Sequence, residues 1–593
     1  MLKGLFRTKN LDDILASMGG PQFALKRTLG AFNVTLIGIG AIIGAGIFAT
    51  VGSAAAGDAA AGRPGAGPSL MLSFVITGVV CGFTALCYAE LASMVPISGS
   101  AYTYSYATMG ELIAWIIGWD LIIEYAIGNV AVAISWAEYF HKLLQNLGIE
   151  FPHWLAADYR SARLLATDDP ATYAKLFGSA PEILGVPVIF NFLAFAIVAV
   201  LTVVLVWGIR ESANFNAGMV AIKIIVLLFF VGAALYFVPP GKMVENWHPF
   251  RPQGWGGTFA GAALVFFAYI GFDAVSTVAE ETKNPARDLP IGIIGSLIVC
   301  TIFYVVVAAV FTGMIPFPEL QKVSSSGQAE ALTMALDYVA PSGVTLPQTI
   351  VAFGSVVAHT AVLLVFQLGQ PRIFMSMARD GLLPPVFASI HPRFKTPHVT
   401  TILTGIFVGG IAAFANIESM LNLTNIGTLF AFMLVCIGIP ILRYKDPQRP
   451  RPFRVPLGPL VLPLLGAASC IFLMYYLAAD TWWRFIGWLV LGLSIYLAYG
   501  YTRSAIGMRM GRPSTTPAIL KLAAIGFLTL AVGLFTVPHD IGFSGVFEAA
   551  INADNPHHGR ALAGVILILV GLVLGAAGSV MVATTAQPTG RAD

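Results

Sequence analysis

Charge is what this sequence has least of. Asp, Glu, Lys and Arg make up 11% of its 593 residues, where a soluble chain carries about a quarter. An ordinary soluble domain is therefore excluded. Cysteine is scarce too. The five, Cys81, Cys87, Cys300, Cys436 and Cys470, all fall in apolar runs. They read as small packing residues, not as a disulfide frame or a metal site. No basic tract with interleaved aromatics suits nucleic acid. No H-E-x-x-H, no Ser-centred glycine elbow and no phosphate loop occurs. No polar stretch is long enough for a catalytic domain, so neither an enzyme nor a cofactor is expected.

What is present is apolar sequence, 57% hydrophobic overall, in runs long enough to cross a bilayer. Such runs fall at 31–56, 69–94, 111–142, 186–208, 215–238, 258–280, 290–314, 349–378, 398–416, 420–442, 456–479, 482–502, 518–537 and 561–584. The boundary near Asp480, where two runs almost touch, is the least distinct. An all-α polytopic membrane protein of fourteen spans is expected. Residues 1–28 are polar and basic, with no apolar core and no small-residue cleavage site. Their pattern of Leu11, Ile14, Leu15 and Met18 predicts a short surface helix. With the N-terminus in the cytoplasm, 22 of the 33 Lys and Arg lie inside and ten outside, with Lys223 in a span. The reverse orientation inverts that bias, so both termini are expected inside, at a plasma membrane.

The first run holds the feature around which the rest is organised. Leu36 to Thr50 reads L-I-G-I-G-A-I-I-G-A-G-I-F-A-T, with Gly38, Gly40, Gly44 and Gly46 in fifteen residues. Each glycine weakens a helix by up to about 1 kcal/mol against alanine. Gly40-x-x-x-Gly44 also fits close helix packing, so a break and a packing motif both fit. A break in mid-membrane is tolerated only where it lines a cavity or binds something. The half-helix N-terminus then suits a carboxylate, and the freed carbonyls suit an ammonium. Together these describe an amino acid. The sixth run carries a second interruption, Phe266-Phe267-Ala268-Tyr269-Ile270-Gly271-Phe272-Asp273. Five spans separate the two, and an odd number inverts the second copy. The expected organisation is a cytoplasmic segment at 1–28, five-helix repeats at 29–238 and 239–455, and four further spans with a tail at 456–593.

These stretches resemble a known family. Gly38 to Phe48 (G-I-G-A-I-I-G-A-G-I-F) is similar to the first-helix signature of the amino acid–polyamine–organocation superfamily. So are Tyr88 to Tyr104, Phe266 to Asp273 with Ala279 to Pro290, and Pro371 to Pro384. The nearest resemblance is to cationic amino acid transporters and their bacterial relatives, over about residues 25 to 500. It implies ten core helices in an inverted repeat and amino acid transport by alternating access, commonly proton-coupled in bacteria. An amino acid, a proton and the bilayer are the implied partners. An exchanger of amino acids or polyamines on the same fold is the alternative.

The resemblance implies that the substrate carboxylate meets backbone N–H groups of Ala45 and Gly46, with Gly44 giving close approach. Ala45 departs from the Ser or Thr common in the family. The ammonium is expected at the carbonyls of Ile42 or Ile43 and of Phe267 and Ile270. Lys223 lies about 12 Å into the fifth span, just cytoplasmic of Gly44 at about 18 Å. A lysine in a low-dielectric interior can exchange a proton. It can also snorkel to headgroups. In the superfamily, bacterial members with a lysine here use it where sodium-driven relatives hold an ion. Glu124 on the third span, with Asp120 a turn away, either attracts a basic side chain or holds helices together. Asp273 could organise the second break. Phe366 and Gln367 are specificity positions, and Phe366 would crowd a long basic side chain. That favours neutral substrates such as alanine. His359, alone on an apolar span, reads as a hydrogen-bonded bundle residue rather than as a proton relay. Glu280, Glu281, Lys283, Arg287, Arg372, Arg379 and Asp380 could close an inner gate by salt bridges.

Overall fold

The computed structural model describes residues 6–9, 28–58, 62–94, 100–183, 185–208, 213–324, 330–509, 517–538, 542–552 and 555–585. The surface helix expected over Leu11 to Met18 lies outside the described residues. Among the described residues, ten helices are long and apolar enough to cross a membrane, or eleven if one bent pair counts as a span. Three shorter apolar helices, Phe192–Trp207, His398–Ala412 and Val461–Tyr475, occupy other apolar runs.

The bent pair is α1 (Ala31–Ile42) and α2 (Ala45–Ala56), turned by 44° at Ile43 and Gly44. Of the two readings of the glycine run, the backbone takes the break. The next long helix, α3 (Leu70–Met94), leads to the third run. That run is α4 (Glu111–Ile122) and α5 (Gly128–Asn146), joined by one π-turn over Ile123–Ile127. A π-turn widens the helix and shifts the facing of the residues after it. Here it carries Glu124. α6 (Phe192–Trp207) and α7 (Ala213–Phe237) come next.

The sixth run starts as α8 (Gly254–Val265) and loses α-geometry. It tightens to a 3₁₀ turn at Phe266–Tyr269, opens at Ile270, and resumes as 3₁₀ over Asp273–Glu281. Gly271, at φ +122°, supplies the turn. Beyond it lie α9 (Pro285–Met314), a short helix α10 (Ala331–Val339), and α11 (Leu346–Arg379). α12 (His398–Ala412) and α13 (Ile417–Lys445) complete the central bundle. α1 and α3 both pack on α9, α5 packs on α11, and α10 covers α2 and α11.

The C-terminal helices are α14 (Val461–Tyr475), α15 (Ala479–Ile495), α16 (Pro517–Thr536) and α17 (His558–Thr585). Only Tyr476 to Ala478 separate α14 from α15, at the indistinct boundary. α16 and α17 meet backbone to backbone. A Cβ on Gly526 would lie 2.2 Å from the Gly575 nitrogen, and one on Gly571 2.3 Å from the Leu530 nitrogen. Small residues let helices approach this way in lipid. α15 grips α4 through tryptophans. The Trp119 and Trp488 rings stack at 4.5 Å, and each indole N–H donates to the other's carbonyl. All five cysteines are free and buried.

Candidate functional site

The two breaks face each other at the centre of the bundle. A Cβ on Gly46 would lie 2.1 Å from Ala268 Cα, and one on Gly271 2.7 Å from the Ala41 carbonyl oxygen. Glycine is therefore required twice for backbone to meet backbone. The Tyr304 hydroxyl, on α9, lies 2.8 Å from the carbonyls of both Ile42 and Ala268 and shares its proton between them. It ties the end of α1 to the second break. Sequence reasoning missed it, because one tyrosine in an apolar helix carries no signal of its own.

The end of α2 is left with its first N–H groups, at Ala45 and Gly46, uncapped by any side chain. A Cβ on Gly44 would strike Val362 Cγ2 at 2.3 Å, so α11 walls this point. Of the carbonyls expected to face an ammonium, that of Ile42 already takes Tyr304, and that of Phe267 takes the Ile270 N–H at 3.3 Å. Each keeps a second lone pair. Phe267 and Ile270 are both buried.

Lys223 does not snorkel. It is 1% exposed, and its Nζ donates to the Gly40 carbonyl at 2.7 Å, one turn before the break. No carboxylate pairs with it among the described residues.

Glu124, Asp120 and Asp273 form an electrostatically linked group of buried acids. Asp273 accepts the Gly271 N–H at 3.3 Å and so braces the second break. Both oxygens of Asp120 lack a hydrogen-bond partner among the described residues. A Cβ on Gly427 would sit 2.9 Å from its Oδ1, so α13 packs directly on it.

Phe366 packs edge-on against Tyr125, centroids 5.7 Å apart. Its ring covers Gly128, where a Cβ would lie 3.0 Å away, with Thr424 of α13 at 3.3 Å. Val362, one turn from Phe366 on α11, completes an apolar wall beside Gly44. Gln367 turns the other way. Its Nε2 donates to Thr202 at 2.5 Å and to the Val198 carbonyl at 3.4 Å, both on α6. Nε2 therefore ties α11 to α6, while the buried Oε1 has no hydrogen-bond partner among the described residues. A single residue on an apolar span does not reveal which neighbour it faces.

At the end of the bundle near the N-terminus, Asp380 does form an ion pair, but its partner is Lys9, 2.5 Å away. Tyr102 donates to its other oxygen at 2.7 Å. The segment Phe6 to Lys9 is threaded against this face. Arg7 O accepts from Glu111 N at 3.0 Å, and Lys9 N donates to Tyr106 O at 3.2 Å. No ion pair joins Glu281, Lys283, Arg287, Arg372 or Arg379 among the described residues. The Glu280 side chain lies outside the described residues. Nearby, Arg443 holds the buried Glu90 with two guanidinium nitrogens, which fixes α3 to α13.

Comparison with known proteins gives this geometry its context. The amino acid permease family matches residues 29–496. A branched-chain amino acid permease of Bacillus subtilis (strain 168) is 44% identical over 507 residues, which is 85% of this chain and all of that one. A methylthioribose transporter of the same organism is 40% identical over 505 residues, again 85% of this chain and all of that one. A vacuolar cationic amino acid transporter of Arabidopsis thaliana is 37% identical over 459 residues, 76% of this chain and 65% of that one.

Proposed function

The chain belongs to the amino acid permease family, and from that premise we propose that it takes up neutral, apolar L-amino acids together with a proton. It is a transporter and not an enzyme. In this reading the fourteen apolar helices among the described residues all span the membrane, with both termini in the cytoplasm of a plasma-membrane protein. The two interrupted helices open two five-helix units in inverted repeat.

The carrying observation is the meeting of two interrupted helices one turn from a buried lysine. The uncapped start of α2 offers N–H donors and a positive dipole end to the substrate carboxylate. The carbonyls of Ile43 and Ile270, with the spare lone pairs of Ile42 and Phe267, offer acceptors to its ammonium. Backbone groups read only the head of the amino acid. The side chain then meets Val362 and Phe366, an apolar wall with no acid on it. That supports a small or branched neutral side chain over a cationic one, as does the name of the branched-chain relative.

Lys223 supports proton coupling because its hydrogen bond survives loss of its charge. A neutral amine still donates to Gly40. Binding and release of the proton therefore change the field at the break without stranding a buried donor.

The test is uptake of labelled L-leucine, L-alanine and L-arginine into proteoliposomes with an inward proton gradient and no sodium. Accumulation of the two neutral amino acids, with little arginine, is expected. Uphill arginine uptake would overturn the neutral reading. Exchange into preloaded vesicles without any uphill uptake would replace symport with exchange.

A further inference from the structure

We propose that His359 is the outer proton partner of Lys223, fed from the extracellular side past Glu330 and Tyr139. This rests on the reading of the protein as a proton-coupled carrier, and deepens it by naming how the proton reaches the buried lysine.

His359 lies on α11 and is fully buried, yet it is wired at both ring nitrogens. Nδ1 is 2.7 Å from the Ser355 carbonyl, and Nε2 is 2.8 Å from the Ser135 hydroxyl on α5. A carbonyl can only accept, so Nδ1 carries the proton of the neutral ring, and Nε2 accepts from Ser135. When a second proton arrives at Nε2, the Ser135 hydroxyl turns from donor to acceptor. Both charge states are then fully hydrogen-bonded. A group that is satisfied with and without its proton can hold one in transit.

The neighbours set the route. The Tyr139 ring stands 5.6 Å from the imidazole, and Phe48 of α2 stands 5.7 Å away. The Tyr139 hydroxyl donates to the Phe48 carbonyl at 3.0 Å and accepts the Leu332 N–H at 3.3 Å. Leu332 is on α10, the short helix that covers α2 and α11. Glu330 stands at the start of α10, its Oε2 accepting from Thr333 at 3.2 Å. The charged groups acting on it are Lys142 of α5 and Asp337 of α10, paired at 2.6 Å, while Glu138 of α5 and Glu330 both act on Tyr139. Burial raises the Glu330 carboxyl from the usual carboxylate range to about 7. It therefore gains and loses its proton near neutrality, at the outer mouth.

The inner end is fixed by helix packing. A Cβ on Gly354 of α11 would lie 2.1 Å from Val226 of α7, so these residues share a level. Lys223 is three residues inward from Val226, and His359 five residues inward from Gly354. On antiparallel helices that puts the two Cα positions about 3 Å apart in depth. Lys223 is within electrostatic range of the ring. Two cations in that dry space repel, so a single proton is shared between them. It enters at Glu330, is held at His359 Nε2, and passes to the neutral Lys223 amine, leaving the ring neutral again.

The experiment compares wild type, His359→Gln and Glu330→Gln in proteoliposomes. It reads two quantities, substrate-driven proton flux with an internal pH dye and counterflow of labelled L-leucine without a gradient. Gln keeps hydrogen bonds but carries no proton at neutral pH. Both variants are expected to retain counterflow within about twofold, while coupled proton flux falls at least about tenfold. Tyr139→Phe, which keeps the ring and removes the hydroxyl, is expected to slow the flux likewise. Wild-type flux through His359→Gln would overturn the route while leaving proton symport intact. Loss of counterflow in both His359→Gln and Tyr139→Phe would make this a structural cluster and overturn it as well. Absence of any proton flux in wild type would overturn the symport reading and the route with it.

Discussion

Lys223 Nζ donates to the carbonyl of Gly40 at 2.7 Å. This joins α7 to the last turn of α1 before its break. Removing the amine should uncouple the proton and leave the amino acid's backbone contacts in place. Lys223→Gln is therefore expected to keep counterflow of L-leucine and to lose gradient-driven accumulation. The check is accumulation ratio against exchange rate in the same vesicles. Full accumulation in Lys223→Gln would remove this lysine from coupling.

Tyr304 holds the two breaks in one geometry through a shared hydroxyl proton. Tyr304→Phe keeps the ring and its packing on Phe74 and Tyr269. The loss of one buried hydrogen bond, worth about 1 kcal/mol, should loosen both ends of the site. KM for leucine is expected to rise about fivefold with the amount of folded protein unchanged. An unaltered KM would show that the bond serves stability alone.

Phe366 closes the apolar wall over Gly128 and against Tyr125. Phe366→Ala should admit larger side chains and weaken small ones. KM for leucine is expected to rise about tenfold, in line with 1–3 kcal/mol for lost side-chain contact in a pocket. Competition by phenylalanine or arginine should appear at the same time. If leucine and its competitors are unaffected, the side chain lies elsewhere.

What the sequence disclosed followed from chemistry that a membrane cannot tolerate casually. Glycines clustered in an apolar run are costly, so Gly44 and Gly46 offered a break as one of two readings, and Gly271 with Asp273 offered a second. Lys223 was visible because charge in a span is expensive, and its level beside the first break could be counted from helix rise. The facing of neutral residues could not be counted. On a span that is apolar all round, no hydrophobic stripe fixes rotation, so the bond from Gln367 Nε2 to α6 could not be foreseen. Tyr304 and Tyr139 are common residues in common surroundings, and only the fold brings their hydroxyls to backbone carbonyls. The π-turn under Glu124 has no sequence signature at all. Lys9 was hidden for another reason. Its partner Asp380 is 371 residues away, and nothing local pairs them.

The Lys9–Asp380 pair is partly open to solvent, with side chains 28% and 14% exposed. An ion pair of that kind contributes about 0–1 kcal/mol and is screened by salt. Lys9→Ala should therefore shift the carrier modestly toward a state open at this face, the cytoplasmic one in the proposed topology, by about twofold to fivefold. The check is labelling of a cysteine placed at Ala101, which is fully buried beside Tyr102, from the cytoplasmic side. High salt should raise labelling in wild type and have little further effect in Lys9→Ala. Equal labelling of both proteins at every salt concentration would show that the N-terminal segment does not secure this face.

Glu330 gives α10, on the outer side in the proposed topology, a pH dependence. With α10 packed, the carboxyl is raised to about 7. With α10 lifted into water, it returns to the ordinary range near 4. Between those values the packed state binds a proton that the lifted state does not. Packing is therefore favoured as external pH falls, and that advantage is lost as pH rises through about 7. A cysteine placed at Ala335, fully buried in the packed helix, reports the equilibrium. Its labelling by a membrane-impermeant maleimide is expected to be slower at pH 6 than at pH 8 by more than the thiol's own titration accounts for. Glu330→Gln supplies that baseline, because its side chain stays neutral throughout. If the two backgrounds change in parallel with pH, Glu330 does not govern the packing of α10, and the proton that reaches His359 enters elsewhere.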